Sequence, residues 1–238
     1  MSGHSHARTI KHKKDATDAA RSSIFSKMAR EITVAVKAGG GDPAVNTQLR
    51  AVLERARSFN MPSQNIERAI SKATGGEGGG QLEEILFEAY GPGNTALLIS
   101  GITDNKNRTV SELKQILNRF RGKLVEGGAV QWMFERKGVI TTKPTKSRGE
   151  AELTVVEAGA DDMYWEEDGS LNVYTKPTEL EQVKAKLREH GLTIESSALE
   201  WVPRENIQVA QETREAAEKL FEALDQHDDV QNIYSNLA

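Results

Sequence analysis

Cysteine is absent from all 238 residues, which excludes disulfides, thiolate zinc sites and cysteine nucleophiles and suits a reducing compartment. No apolar run approaches the roughly 20 residues that span a bilayer. The first residues carry histidine and lysine where a signal peptide needs an apolar stretch, so a cytoplasmic location is expected. The signatures of common active sites are missing as well. There is no P-loop, nucleophile elbow or zinc-protease pattern. YGPGN at 90–94 lacks the GxGxxG register and carries a central proline, which makes it a hairpin turn. The acidic pairs Asp161 with Asp162 and Glu166 with Glu167 sit in a generally acidic stretch and read as solvated faces. These absences point to a protein without an active site or a cofactor.

The charge present is unevenly distributed. Residues 1–76 hold 13 Lys and Arg against 6 Asp and Glu, whereas the remaining 162 residues hold 18 against 29, so a net charge of −4 conceals a basic head and an acidic body. Phosphate backbones reward clustered Lys and Arg through counterion release, and such asymmetry is a prior for nucleic-acid contact. A solvated basic helix without a partner is the plainer alternative. His4, His6 and His12 have no carboxylate companion that would suggest a metal site. Their expected task is to hydrogen-bond phosphate or ribose beside Lys11, Lys13 and Lys14.

Periodicity organises the chain into three parts. Over residues 15–38, Ile24, Phe25, Met28, Ile32, Ala35 and Val36 recur at three- and four-residue spacings, which predicts a helix with Lys27, Arg30 and Lys37 on its opposite side. Three glycines end it, and Asp42 with Pro43 supplies the start of a second helix that turns Val45, Leu49, Val52, Leu53 and Ala56 inward. A third carries Ile66, Ala69 and Ile70, closing a basic helical domain over 1–76. The glycine-rich run through Gly80 reads as a hinge. Beyond it a hairpin (85–90 and 95–103), a helix (109–121) and a strand (130–135) give a β-β-α-β order. From Val139 the order is β-α-β-β-α-β, a ferredoxin-like unit complete in itself. The chain then continues with a helix over 212–226 and a strand VQNIYS. These last elements cannot form a core alone, so they are expected to return to the earlier sheet. The fold class is therefore α+β, with a middle domain made of 77–135 and 204–238 and an inserted domain over 136–203.

The segment GITDNKNRTVSEL at 101–113 crowds Asp104, Asn105, Asn107 and Arg108 between a strand and a helix that Thr109 or Ser111 could cap. It either shapes the turn or touches RNA or a protein. The candidate nucleic-acid-binding residues are then His4, Ser5, His6, Arg8, Lys11, His12, Lys13, Lys14, Arg21, Lys27, Arg30, Asn105, Asn107 and Arg108.

Several segments, in order, carry a likeness: GHS at 3–5, IKHKK at 10–14, IFSKMAREI at 24–32, GGGDPAVN at 39–46, MP at 61–62, IERAI at 66–70, YGPG at 90–93 and TDNKNRT at 103–109. GAVQWMFERKGVI, ALEWVP and DDVQNIYSN extend it almost to the end. The chain resembles the YebC family, which includes the mitochondrial translational activator of cytochrome c oxidase. The resemblance implies a helical bundle, a middle α+β domain and a ferredoxin-like domain inserted in it. It also implies one of two roles. The leading one is a non-enzymatic translation factor that binds ribosomal RNA and eases stalling at sequences such as proline runs. The alternative is a regulator that binds promoter DNA, for which helix one, with its lysines, arginines and small residues, lacks the usual bidentate readers. A monomer in isolation is expected. One departure stands out: the family's GHSKWANIKH is replaced here by His6, Ala7, Arg8 and Thr9 at its Lys, Trp, Ala and Asn positions. The missing tryptophan removes a stacking platform worth about 1–3 kcal/mol per base where such contacts form.

Overall fold

The computed structural model describes residues 18–75 and 82–238. Helix α1 (Asp18–Gly39), α2 (Thr47–Ser58) and α3 (Ser63–Thr74) bury one stripe each. Met28, Ile32, Ala35 and Val36 of α1 meet Leu49, Val52, Leu53 and Ala56 of α2 and Ile66 and Ala69 of α3. Helix α2 starts later than the Asp42–Pro43 pair suggests. Its cap is Asn46, whose Oδ1 accepts the Leu49 N–H at 2.9 Å while its Nδ2 donates to the Ala35 and Gly40 carbonyls at 2.8 Å each. Gly39 makes room for that side chain, since a Cβ there would lie 2.8 Å from the Asn46 amide. Val45, expected in the core, falls in the turn ahead of the cap and is 78% exposed.

Strands β1 (Glu83–Tyr90) and β2 (Ala96–Thr103) form an antiparallel hairpin around a 3-10 turn at Pro92–Asn94. Gly93 sits there at φ 67°, and a Cβ on it would lie 2.6 Å from the Thr213 side chain. Helix α4 (Lys106–Arg119) follows, then a short β3 (Lys123–Val125) antiparallel to β1. Of the strand expected over 130–135 only residues 134–135 are extended; Gln131–Met133 forms a 3-10 turn, and it is β3 that pairs with β1. The Glu88 carboxylate accepts backbone N–H groups from Gly128, Val130 (2.6 Å) and Gln131 (2.9 Å), which takes those donors away from a ladder. At the far end of the chain, α7 (Gln211–Asp225) and β8 (Val230–Ser235) complete the layer. Strand β8 pairs antiparallel with β2, giving the order β3-β1-β2-β8. Phe87, Leu97 and Ile99 pack under Leu113 and Leu117 of α4 and Leu220, Phe221 and Leu224 of α7.

The intervening chain forms β4 (Phe134–Thr142), α5 (Arg148–Ala158), β5 (Asp162–Trp165), β6 (Leu171–Thr175), α6 (Leu180–Glu189) and β7 (Ile194–Pro203). All pairings are antiparallel in the order β5-β6-β4-β7, the ferredoxin-like arrangement. Strand β4 starts at Phe134 and runs unbroken, rather than at Val139. Ile140, Leu171 and Val173 face Ala151 and Val155 of α5 and Val183 and Leu187 of α6. A capping box between Ser147 and Glu150 opens α5, and Gly159 at φ 86° ends it. The described chain divides into two compact units, residues 132–206 and the residues on either side of them. No helix among the described residues is long and apolar enough to cross a membrane.

Candidate nucleic-acid interface

The N-terminal candidates His4, Ser5, His6, Arg8, Lys11, His12, Lys13 and Lys14 lie outside the described residues. Arg21 is exposed on α1. Lys27 and Arg30 do not stand on an outward side of that helix, because α1 has a second neighbour besides its own bundle. Lys27 is 7% exposed. Its ammonium donates to the backbone carbonyl of Asp225 at 2.6 Å and to the Asp225 carboxylate at 2.9 Å. Asp225 closes α7, so the cation also meets the negative end of a helix. Arg30 donates to the Ile102 carbonyl at 3.0 Å and to the carboxylate of Asp229.

Asp229 is the centre of the arrangement. It is 1% exposed, just ahead of β8. Its Oδ2 accepts from Thr109 Oγ1 at 2.7 Å, Thr103 Oγ1 at 3.0 Å and Arg108 Nη2 at 3.1 Å, while Oδ1 accepts from Arg30. Burial pushes this carboxyl up, but the hydroxyl of Thr109 and the two guanidinium groups outweigh it and hold the pKa at about 2. A charge is thus buried where both its oxygens are fully occupied.

The TDNKNRT segment builds that pocket. Asn105 caps α4 by accepting the Arg108 N–H at 3.1 Å, and its own N–H donates to Thr103 Oγ1 at 2.9 Å. Neither Thr109 nor Ser111 is the cap: Thr109 turns to Asp229, and Ser111 donates back to the Asn107 carbonyl at 3.0 Å. Asn107 is exposed. Arg108, with 43% of its side chain exposed, divides its guanidinium between Asp229 and Asp104, the latter at 2.7 Å. The structure therefore brings Arg30 and Arg108 together on one carboxylate and places Asn105 and Asn107 at the margin.

Glu112, His227 and Asp229 have side-chain ligand atoms within 4.8 Å of one another. The Asp229 N–H donates to His227 Nδ1 at 3.1 Å, which leaves Nε2 to donate to Glu112 at 2.9 Å. A cation taking either Asp229 oxygen as a ligand would have to displace the arginine that already donates to it. The cluster suits a lock between α1 and the middle sheet better than a metal centre. Neither Asp229 nor Thr103 is singled out by the sequence pattern. Their signal is a pair of polar residues flanking apolar strands, in TDNKNRT and DDVQNIYSN.

Known proteins are similar to this chain over nearly its whole length. Residues 5–76 match the TACO1/YebC protein N-terminal domain, and residues 82–237 match the TACO1/YebC second and third domain. A probable transcriptional regulatory protein from Trichlorobacter lovleyi is 44% identical over 236 residues, covering 99% of this chain and 95% of that protein. Another of the same description from Thermotoga maritima is 44% identical over 238 residues, covering 99% and 93%. The crystal structure of a conserved hypothetical protein from Aquifex aeolicus superposes with a TM-score of 0.87 at 41% identity, covering 96% of this chain and 95% of that one.

Proposed function

The chain belongs to the TACO1/YebC family, and on that premise we propose that it is a non-enzymatic regulator that binds ribosomal RNA through its basic N-terminal domain and relieves stalled translation. The observation that carries this reading is the charge division: 13 cations against 6 acids in residues 1–76, on a chain whose remainder is acidic. Of these 13, Arg50, Arg57, Arg68 and Lys72 are exposed on α2 and α3. Such a surface fits phosphates. Helix α1 gives little support to base reading in duplex DNA, because Lys27 and Arg30 are spent on Asp225 and Asp229. The alternative, transcriptional regulation through promoter DNA, is favoured by the descriptions of the bacterial relatives.

The two readings separate in a salt series with ribosomes and with duplex DNA, comparing the wild-type protein with a Lys11→Ala, Lys13→Ala, Lys14→Ala variant. Ribosome binding is expected to be the tighter, and the slope of log K against log salt should fall by about 0.7–0.9 for each phosphate that the variant no longer neutralises. In cells lacking the protein, ribosome profiling with matched RNA sequencing should show ribosomes accumulating at proline runs. Normal transit over those runs with altered messenger levels would favour the transcriptional reading.

A further inference from the structure

Helix α4 and the turn that ends it form a cationic strip within the acidic part of the chain. Residues 105–123 hold six Lys or Arg and one acid, whereas the rest of 77–238 holds 12 Lys and Arg against 28 Asp and Glu. Thr109, Leu113 and Leu117 turn inward. At about 100° per residue, the opposite face then carries Asn107, Ser111, Lys114, Gln115, Asn118 and Arg119, all of them exposed. The one acid, Glu112, stands at the margin of that face and is held by His227 at 2.9 Å. Arg121 and Lys123 continue the strip, Lys123 with its ammonium 5.7 Å from the centre of the Tyr90 ring.

The helix end supplies a second observation. The N–H of Gly122 bonds to the Leu117 carbonyl at 2.8 Å and that of Arg121 to the Asn118 carbonyl at 3.2 Å, the Schellman pattern. The residue that this motif places in the left-handed region is ordinarily glycine or asparagine. Here it is Arg121, at φ 58°. An arginine side chain stands exposed at a position whose backbone favours having none. The other end of the helix abuts the bundle, because Arg30 and Arg108 share Asp229. The strip therefore begins where the basic domain docks and extends along α4 for about 21 Å at roughly 1.5 Å per residue.

We propose that α4 is a second RNA-binding surface, with Lys114, Arg119 and Arg121 on phosphates and Asn107, Gln115 and Asn118 on ribose 2′-hydroxyls or base edges. The occupant follows from chemistry. The face is cationic, and amides that both donate and accept are spaced between the cations, as ribose and base edges require. It offers no exposed apolar or aromatic anchor of the kind on which protein interfaces centre. The proposal rests on the RNA-binding reading above and adds a site outside the N-terminal domain.

The test uses the full chain and two labelled probes, a 20-base-pair RNA hairpin and a DNA duplex of the same sequence. The variant is Lys114→Ala, Arg119→Ala, Arg121→Gly. For three phosphates the salt slope on RNA should fall by about 2–3 and the affinity by about tenfold or more. Removing the same number of charges at Lys143, Arg148 and Lys176, exposed cations of the other unit, should leave both unchanged. Arg121→Gly alone should weaken RNA binding while raising the thermal midpoint, a combination that a purely structural role would not give. Wild-type binding with an unaltered slope in the triple variant would overturn the proposal and leave the N-terminal reading intact. A reduced slope on DNA alone would overturn RNA as the occupant. No wild-type binding to RNA would overturn both.

Discussion

Two four-stranded antiparallel sheets occur among the described residues, each with two helices packed on it, and they differ in how far the chain travels to complete them. The sheet β5-β6-β4-β7 is finished within residues 134–203. The sheet β3-β1-β2-β8 pairs Leu97 with Ser235. It stays open until the last residues of the chain return. The first sheet gathers its core from neighbouring segments; the second waits on pairings of high sequence separation, which form late and cost more closure entropy. The late-closing sheet is also the one whose final connection carries Asp229 and so receives α1 of the basic bundle. Bundle, middle sheet and C-terminal strand thus depend on one another, while the contiguous unit pairs all four of its strands within residues 134–203.

The strongest way to break this comparison is truncation after Pro203. It removes Leu220, Phe221, Leu224, Val230 and Ile233, all buried in the middle core. At about 1.5–3 kcal/mol for each buried side chain, the loss matches or exceeds the roughly 5–15 kcal/mol stability of a typical domain. Amide NMR signals of the middle sheet should collapse, while a fragment of residues 132–206 should give a dispersed spectrum. A dispersed middle sheet in the truncated protein would show that β8 is dispensable.

Replacing Asp229 sharpens the comparison at one residue. Asp229→Ala leaves Arg30 and Arg108 facing each other without their shared acceptor and takes one acceptor from the hydroxyls of Thr103 and Thr109, which keep each other and the Asn105 backbone as partners. Breaking a buried pair in this way costs about 3–5 kcal/mol. Urea unfolding should show that loss in the bundle and middle sheet, with residues 132–206 unaffected. The wild-type lock also has a pH signature. Its folded pKa, about 2, lies below the usual aspartate value of about 3.9, so its contribution is fully present above pH ~4. It is lost as pH falls from about 4 to about 2, an effect on the order of 2 kcal/mol. Asp229→Asn should lack that acid-dependent component.

These features are unequally legible in the sequence. The bundle can be read because Met28, Ile32, Ala35 and Val36 repeat at helical spacing over several turns. The return of β8 can be read because the ferredoxin-like unit has no vacancy for another strand. Strand β3 is hidden because Lys123, Leu124 and Val125 are too few to show alternation. Lys27 and Arg30 are misplaced for a different reason: a helical wheel gives an angle about the axis, and the neighbour covering that angle comes from residues about 200 positions later. Nothing local to Asp229 announces that four donors from three segments converge on it. The Arg121 strip is masked because its charges are diluted in an acidic average.

The smallest expected effect concerns the exit from the middle sheet into the contiguous unit. Glu88, 5% exposed on β1, receives the N–H groups of Gly128, Val130 and Gln131. Burial pushes its carboxyl up, and the backbone donors from Val130 and Gly128 onward outweigh that and hold it below the usual glutamate range. Glu88→Gln keeps the shape but turns one accepting oxygen into an NH₂ group that faces a donor. The cost should be about 1.5–3 kcal/mol, the value of a hydrogen bond to a charged group. Because the folded pKa is depressed, the wild-type contribution is present above the unfolded glutamate pKa and is lost as pH falls below it. The variant should therefore be the less stable at neutral pH, and the gap should narrow in acid. Hydrogen exchange should quicken at Val130 and Gln131 and stay unchanged in β4–β7. Equal protection in the two proteins would mean that the turn holds its shape without the carboxylate, and the exit would then be set by the chain itself.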